Sequence, residues 1–315
     1  MPSTSAHPHL HLLVPSSTPS ISLEVRLYLP DPTLTSQGEG GSSAPSAYLA
    51  HLPLKRAIST WASSTTRLDE LDQDAVEGLR GIGVERLVTA AHPWGRLGGS
   101  MLDPILSSHL LSAIYTPTET TDPALVASPS KRPVPRTALL TYNVRGIGLS
   151  QGSQPWLGVG SDPQDLGAVE AAVLGLLGES VKSVLRFGYS WGSLLVALAP
   201  PPSPATISLD SILLISPPIT PFKAITLLSS QSFQAAVVDW VEKGIKVKLI
   251  HGTKDEFTSL GTFKHFLNSV NSSVGEKENG VERVEIEDAD HLFRRDEGEK
   301  VREEIGKWLG WVVRD

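Results

Sequence analysis

The order of apolar and polar positions along the chain predicts a regular alternation of strands and helices. Two strands come first, at Leu10 to Val14 and Ile21 to Leu29, and a turn-rich link joins them. The second strand alternates apolar with polar residues, which is typical of a strand that has one face in solvent. We therefore expect the two strands to form an antiparallel hairpin at a sheet edge.

The later strands are short, nearly continuous apolar runs, as expected where both faces of a parallel sheet are covered. They are predicted at 86–91, 137–143, 184–187, 209–216, 245–250 and 281–287. Apolar residues at helical spacing predict helices between them, at 102–115, 161–177, 191–199, 260–271 and 300–313. The alternation fits the α/β class, with one doubly wound, mostly parallel sheet in a single domain that spans residues 1–315.

Several segments have the pattern of neither a strand nor a helix. Residues 31–45 and 116–136 are rich in glycine, serine and proline, which predicts mobile loops. Residues 31–80 as a whole form an insertion before the third predicted strand, 86–91. This insertion is either a lid over an active site or a surface excursion at the sheet edge, and we favour the excursion. The stretch from 219 to 244 has room for one helix, so we expect a small or absent cap.

Composition and charge exclude several classes of protein. The net charge of −7 and the isoelectric point near 5.7 argue against a nucleic-acid-binding surface. The chain has no cysteine, which excludes disulfides, thiol catalysis and cysteine metal sites. Its first residues have neither a basic start nor a long apolar run, and no apolar stretch reaches the roughly 20 residues of a membrane span. We expect a cytoplasmic protein with no secretory signal.

The histidines and carboxylates do not predict a metal site. His7, His9 and His11 alternate along the first strand, where such residues are more often solvated than metal-bound. No pair of histidines or carboxylates at helical spacing suggests a ligand set elsewhere. We expect neither a metal nor a cofactor.

The richest chemical signal lies in residues 183–199. A β-favouring run, 184–187, leads into Gly188-Tyr189-Ser190-Trp191-Gly192, and an apolar helical stretch follows. In this strand–turn–helix context a G-x-S-x-G motif projects its serine hydroxyl from a sharp turn above the sheet edge. The flanking glycines let neighbouring backbone approach closely. The pattern predicts Ser190 as a nucleophile.

An acid and a histidine follow two later strands. Asp255 lies just past the predicted strand 245–250, with Glu256 beside it, and His291 lies just past the predicted strand 281–287. A serine nucleophile needs a base within hydrogen-bond reach and an acid that orients this base. Chain order Ser, Asp, His, with each residue at a strand end, is that of the α/β-hydrolase triad.

On these residues the sequence resembles the α/β-hydrolase superfamily, over most of the chain. More narrowly, it resembles small uncharacterised hydrolases that carry a His-Pro motif after the third strand. The matching stretches are 91–95 (Ala-His-Pro-Trp-Gly), 98–101 (Gly-Gly-Ser-Met) and 143–150 (Asn-Val-Arg-Gly-Ile-Gly-Leu-Ser). Family members often repeat the His-Pro pair, whereas Trp94-Gly95 stands there in this chain. The departure leaves the shape of the pocket floor open.

The resemblance implies a role for each matching residue. Ser190 would attack, His291 would act as the base, and Asp255 would orient it, being preferred to Glu256 because it ends a His-Gly-x-x-Asp pattern. The oxyanion donors would be the backbone N–H groups of Trp191 and of Trp94, since the preceding Pro93 has no N–H.

Other polar residues near the motifs have more ordinary interpretations. His92 and Tyr189 are substrate-pocket candidates, although a histidine at position 92 more often braces its loop. His251 is expected to be packed and hydrogen-bonded at a strand end. Asp288 and Asp290 are expected to serve turn geometry near His291.

The sequence therefore predicts a serine hydrolase that cleaves small-molecule carboxylic esters or thioesters through an acyl-enzyme intermediate. Two alternatives stay open: a peptidase or amidase on the same triad, and a non-catalytic binding protein that keeps the hydrolase fold. The oligomeric state and the acyl chain length are not predicted.

Overall fold

The computed structural model describes residues 10–30, 65–115, 135–219, 229–275, 281–294 and 296–311. The predicted loop 31–45, and the loop 116–136 apart from its last two residues, lie outside the described residues. So do His7, His9 and residues 31–64 of the predicted insertion.

Nine strands form one sheet in the described residues, in the order β3-β1-β2-β5-β4-β6-β7-β8-β9. The six strands from β5 to β9 in this order run parallel, and β2 pairs antiparallel with both β1 and β5. The strands are β1 (Leu10–Pro15), β2 (Ser22–Tyr28), β3 (Thr66–Arg67), β4 (Arg86–Ala91), β5 (Thr137–Tyr142), β6 (Ser183–Tyr189), β7 (Ser208–Ile215), β8 (Lys246–Gly252) and β9 (Glu282–Ile286). The predicted edge hairpin and parallel sheet are confirmed, and the two-residue β3 was not predicted.

Helices cover both faces of this sheet, and each face has its own apolar cluster between the sheet and the helices. On one face lie α1 (Gln73–Gly81), α3 (Asp162–Leu177), α4 (Trp191–Leu198), α5 (Ser229–Glu242) and α6 (Leu260–Val274). On the other face lie a π-helix (Ile105–Leu110) that continues into α2 (Leu111–Tyr115), and α7 (Glu297–Trp311). Two short 3-10 turns, Leu68–Glu70 and Gly95–Leu97, complete the described helical elements. No helix in these ranges is long and apolar enough to cross a membrane.

Strand β2 corrects one expectation. Its polar positions were predicted to face solvent, yet Ser22 and Glu24 are buried and Arg26 is half-buried. The strand lies between β1 and β5, and the loop after β5 folds over it, with Leu149 donating its N–H to the Glu24 carboxylate. Hydrogen bonds within the protein therefore replace water on this face.

The helix predicted at 102–115 also differs, because its first part has π geometry. Its buried residues recur five positions apart, as Ile105 with Leu110 and Leu106 with Leu111. This spacing is compatible with the wider turn of a π-helix, but Leu106 and Leu110 are four apart, as on one face of an α-helix, so the spacing fits both geometries.

The described part of the 31–80 insertion packs at the sheet edge. Thr66 and Arg67 of β3 pair with β1, and Arg80 of α1 donates to the carbonyl of Gly175 in α3. Between β7 and β8, α5 is the one helix among the described residues, and its Trp240 indole donates to Ala197 in α4. This helix is thus part of the layer that covers the sheet.

Candidate active site

Ser190 occupies a strained turn between β6 and α4. Its backbone lies at φ 52° and ψ −121°, a conformation that a residue with a side chain rarely adopts. Both flanking glycines are required by close approach: a Cβ on Gly188 would lie 2.6 Å from the Gly192 carbonyl oxygen, and a Cβ on Gly192 would overlap the Ala91 carbonyl. The turn therefore places Ser190 at the carboxyl edge of the sheet, where the carboxyl ends of the parallel strands lie.

His291 links the serine to an acid across two strand ends. Its Nε2 lies 2.9 Å from Ser190 Oγ, and its Nδ1 lies 2.8 Å from Asp255 Oδ2. Asp255 follows β8 and His291 follows β9, so the three residues come from three strands. They are nearly buried, with 5 to 9% of each residue exposed. A proton on Nδ1, facing the carboxylate, leaves Nε2 free to accept the serine proton.

The carboxylate of Asp255 is held on both oxygens. Oδ1 accepts hydrogen bonds from the backbone N–H groups of Phe257 and Thr258, at 2.8 and 2.9 Å, while Oδ2 accepts from His291. Burial alone would raise the pKa of Asp255, but the hydrogen bonds and the nearby His291 lower it. The group is therefore an anion that faces the imidazole.

Glu256 contacts the backbone of His291, whereas the acid of a triad would contact the imidazole ring. Its carboxylate accepts a hydrogen bond from the backbone N–H of His291 at 3.1 Å, so it holds the histidine loop. Asp288 has φ 62° and pairs with Lys254, and Asp290 accepts from the N–H of Leu292. These last two residues have the turn geometry that was expected of them.

His92 and Tyr189, the two substrate-pocket candidates, lie beneath the site. His92 has the bracing contacts that were favoured for it, whereas Tyr189 was expected only as a pocket residue. Tyr189 is 1% exposed and donates its hydroxyl to the backbone carbonyl of His291 at 2.9 Å. His92 is 0% exposed: its Nδ1 donates to the Pro93 carbonyl, and its Nε2 accepts from the N–H of Val144. Burial lowers the pKa of His92 to about 4, which keeps the ring neutral. Both residues brace loops.

The two proposed oxyanion donors come from adjacent segments. Trp191 is the first residue of α4, where a backbone N–H has no partner within the helix. Trp94 precedes the 3-10 turn after β4, and its ring stacks on that of Trp191 with centroids 5.4 Å apart. Gly192 packs against the backbone of Ala91 and His92. The Trp94 loop is thus held directly beside the serine turn.

Both ends of this loop, residues 92–101, are tied to the end of β5. At one end His92 accepts from Val144, and at the other the side-chain carbonyl of Asn143 accepts from the N–H of Met101 at 2.9 Å. Two consecutive residues thus clamp the loop that carries Trp94.

A buried carboxylate in the edge hairpin holds that clamp, and the sequence did not predict it. Glu24 Oε2 accepts from Asn143 Nδ2 and from the N–H of Leu149, each at 2.7 Å, while Oε1 lies 2.7 Å from His11 Nε2. Burial would raise the pKa of Glu24, but the hydrogen bonds lower it to about 2. Gly148 leaves the space for these groups, since a Cβ there would overlap both Glu24 and Asn143.

Two further titratable residues lie near the triad. His251 is buried, its Nε2 donates to the Thr258 carbonyl, and its ring stacks on Phe263, as expected of a packed residue. Asp103, just before the π-helix, accepts from the N–H of Ile105. Burial raises the pKa of Asp103 to about 6, against the opposing effects of Ile105 and of His291. The sequence did not single out Asp103.

The described ranges contain no group of three or more histidines and carboxylates that could hold a metal ion. His11, the one member of the N-terminal histidine series within those ranges, bonds to Glu24 and to the hydroxyl of Thr65. The site is thus built from a serine, a histidine, carboxylates and backbone groups.

No protein-family model and no curated protein matches this chain. Solved structures do match in fold. An αβ serine hydrolase homologue from Coxiella burnetii is 17% identical, with a TM-score of 0.56 over 96% of this chain and 99% of the other. An esterase from Pyrococcus furiosus is 13% identical, with a TM-score of 0.52 over 96% of this chain and 89% of the other. Est1E from Butyrivibrio proteoclasticus, solved with ferulic acid bound, is 12% identical, with a TM-score of 0.54 over 94% of this chain and 97% of the other. The shared feature is the fold.

Proposed function

We propose that this chain, whose fold is that of the α/β hydrolases, is a serine hydrolase that cleaves carboxylic esters or thioesters through an acyl-enzyme intermediate. The observation that carries the proposal is the continuous hydrogen-bond chain from Ser190 Oγ through His291 to Asp255. A strained serine turn supports it, because strain of this kind concentrates at functional sites.

In the first half-reaction, Ser190 Oγ attacks the carbonyl carbon of the substrate as its proton moves to His291 Nε2. The Asp255 carboxylate stabilises the imidazolium that forms. Collapse of the tetrahedral intermediate breaks the bond from the carbonyl carbon to the leaving group, which is the alcohol oxygen of an ester or the thiol sulfur of a thioester. His291 returns the proton to this leaving group. The acyl group stays on Ser190.

In the second half-reaction, His291 accepts a proton from a water molecule, whose oxygen attacks the acyl-enzyme. The bond between the acyl carbon and Ser190 Oγ breaks, the proton passes to Oγ, and the carboxylic acid leaves. In both steps the carbonyl oxygen becomes negative. The backbone N–H groups of Trp191 and Trp94 are the proposed donors to it, and each such donor is typically worth about 10²–10³ in rate.

The test is the time course of p-nitrophenyl ester hydrolysis, measured with a matched p-nitroanilide and a thioester of the same acyl group. We expect a burst of about one nitrophenolate per protein, since acylation precedes slower deacylation. Ser190→Ala should abolish both burst and turnover. Ser272→Ala, which removes an exposed hydroxyl in α6, is the matched control and should keep both.

Two outcomes would overturn the proposal. Turnover that survives in Ser190→Ala would place the chemistry elsewhere. Turnover of the anilide with a kcat/KM above that of the ester would favour the peptidase or amidase alternative.

A further inference from the structure

The exposed large apolar side chains of this protein share one location. Six such residues are exposed among those that the structure describes, with between 43 and 77% of each residue accessible. All six lie in loops at the carboxyl edge of the sheet, after β4, β5 or β9. They are Leu97, Leu102, Leu149, Trp156, Leu157 and Leu292, and together form the apolar rim.

Five of the six rim residues lie in the loops after β4 and β5, which interlock. The guanidinium of Arg96 lies 3.7 Å from the centre of the Trp156 ring and donates to the carbonyls of Gln154 and Pro155. Gly95 lies so close to Ile147 that a Cβ would overlap it. Leu292 lies in the loop after β9, directly after His291.

The charge of these loops differs from that of the whole chain. Residues 92–102 and 143–160 contain two charged side chains, Arg96 and Arg145, and no carboxylate, although the net charge of the chain is −7. Arg145 is bound to Asp165 and donates to the hydroxyl of Thr18 in the β1–β2 turn, so its charge is already paired. Arg96 is thus the charged group beside Trp156 in these two loops. Beyond them, Asp103 follows Leu102, and Asp290 and Arg294, which pair with each other, flank Leu292.

The rim residues project outward, which suits a surface rather than a pocket. Side chains that line a small-molecule pocket are enclosed, whereas Trp156 is 77% exposed and Leu97 and Leu157 are each 63% exposed. Large exposed apolar patches mark interaction sites. A tryptophan beside an arginine, with no acidic neighbour in the loop, matches the interfacial zone of a lipid layer.

We infer that the apolar rim docks the protein on a lipid surface, so that Ser190 faces acyl esters held in that surface. The substrate class is then an aggregated lipid ester rather than a freely dissolved one. This inference takes its meaning from the proposed esterase activity, but docking itself needs no catalysis.

The test is flotation with lipid vesicles in a Ser190→Ala background, which prevents any hydrolysis of the lipid. Vesicles of phosphatidylcholine alone and of phosphatidylcholine mixed with phosphatidylglycerol are compared. We expect binding to both, stronger to the anionic mixture. The double change Trp156→Ser with Leu157→Ser should lower the partition coefficient by about tenfold or more, since it removes two apolar anchors.

Two controls match these changes. Ile82→Ser removes a half-buried apolar side chain after α1, at the opposite edge, and should leave binding unchanged.

Arg96→Ala should remove most of the preference for anionic vesicles. Arg283→Ala, an exposed arginine on β9, should not. Labelling of the Trp156/Leu157 double variant by a fluorophosphonate, with Ser190 intact, checks that the site still forms.

Three results would overturn the inference. The first is Ser190→Ala protein with an intact rim that does not float with either vesicle. The second is binding that the double change leaves intact. The third is a dimer in solution that the double change dissociates, which would assign the rim to a second copy of the chain. A failure of esterase activity would affect none of these readouts, so the two proposals fail separately.

Discussion

The two flanks of Ser190 are built in different ways. On the side of the proposed acid and base, called the acid–base flank, Asp255 is held by N–H groups two and three residues further on, and Glu256 holds the backbone of His291 one strand away. On the side of the proposed oxyanion donors, called the oxyanion flank, the loop that carries Trp94 is held by Asn143, which is itself held by Glu24, 119 residues earlier in the chain.

Because of this difference, we expect a substitution to alter the geometry of the two flanks in different ways. The acid–base flank depends on local turns at the ends of adjacent parallel strands, so its geometry follows from a few neighbouring residues. The oxyanion flank depends on the edge hairpin β1–β2, so its geometry requires the whole sheet to be assembled. A buried carboxylate is its central support, and losing one partner of a buried hydrogen-bonded group is costly.

The largest expected effect lies on the acid–base flank, at the proton-transfer step. His291→Ala should lower kcat for an ester by about 10⁴–10⁶, and Asp255→Asn by about 10⁴, because the imidazole then lacks its orienting anion. Steady-state kinetics with a p-nitrophenyl ester measures both. A loss below tenfold in either variant would remove that residue from the catalytic machinery.

The second prediction compares one carboxylate from each flank. Glu24→Ala should lower kcat by about 10–10² with little change in KM, because the Trp94 loop shifts and the oxyanion is less well bound. Glu256→Ala, which removes one hydrogen bond to a backbone N–H on the other flank, should have a smaller effect. Equal losses in the two variants would contradict the proposed difference between the flanks.

Glu24→Gln separates positioning from folding. The amide keeps the shape of the side chain and one acceptor oxygen for Asn143 and Leu149, so it should recover a large part of the kcat that the alanine variant loses. Thermal unfolding of all three variants is the control. A Gln variant as impaired as the Ala variant, at an unchanged Tm, would contradict a role through hydrogen bonding.

The third prediction concerns pH. Because the pKa of Asp103 is raised to about 6, this carboxyl is neutral below that pH and anionic above it, where it favours the imidazolium of His291. The ratio of kcat/KM for wild type to that of Asp103→Asn should be near one at low pH and rise about two- to tenfold above pH 6, the scale of one charge interaction in a partly solvated site. A ratio that is flat with pH would exclude this coupling.

The smallest effect on activity is expected at Asp162, the first residue of α3. This residue is 1% exposed, and neither carboxylate oxygen has a hydrogen-bond partner among the described residues. Burial, with the nearby Asp165, raises its pKa from 3.8 to about 7. The folded state therefore holds the proton more tightly, and stability falls as pH rises from 3.8 to about 7.

Asp162→Asn removes that titration. Its free energy of unfolding should exceed that of wild type near neutral pH, by about 1.4 kcal/mol for each unit of the pKa shift that it abolishes. The gain should shrink toward acidic pH, while kcat stays unchanged. Denaturant unfolding across this pH range measures it, and a gain that is constant with pH would contradict the raised pKa.

The positions of Ser190, Asp255 and His291 could be predicted from the sequence, for a physical reason. Ser190, Asp255 and His291 each follow a buried strand, and strands that run parallel bring their carboxyl ends to one edge. The structure brings these three residues within hydrogen-bond distance of one another in series. Local pattern and topology were sufficient to place them.

The oxyanion flank was predicted less completely, because its supports are distant in sequence. Glu24 stands in an alternating strand, where a polar residue predicts a solvated face, and nothing local indicates that the loop after β5 covers it. His92 and Tyr189 lie close to the motifs, but their burial depends on how β5 and the His291 loop pack over them. The π geometry before α2 could not be predicted from spacing, because Leu106 and Leu110 are also four positions apart, as on one face of an α-helix.

The central claim is that Ser190 is an activated nucleophile, and labelling with a fluorophosphonate followed by intact-mass measurement tests it most directly. The account predicts one adduct on the wild type, one on the Ser272→Ala control and none on Ser190→Ala. Folded wild-type protein that takes no adduct, or an adduct that survives in Ser190→Ala, would contradict it.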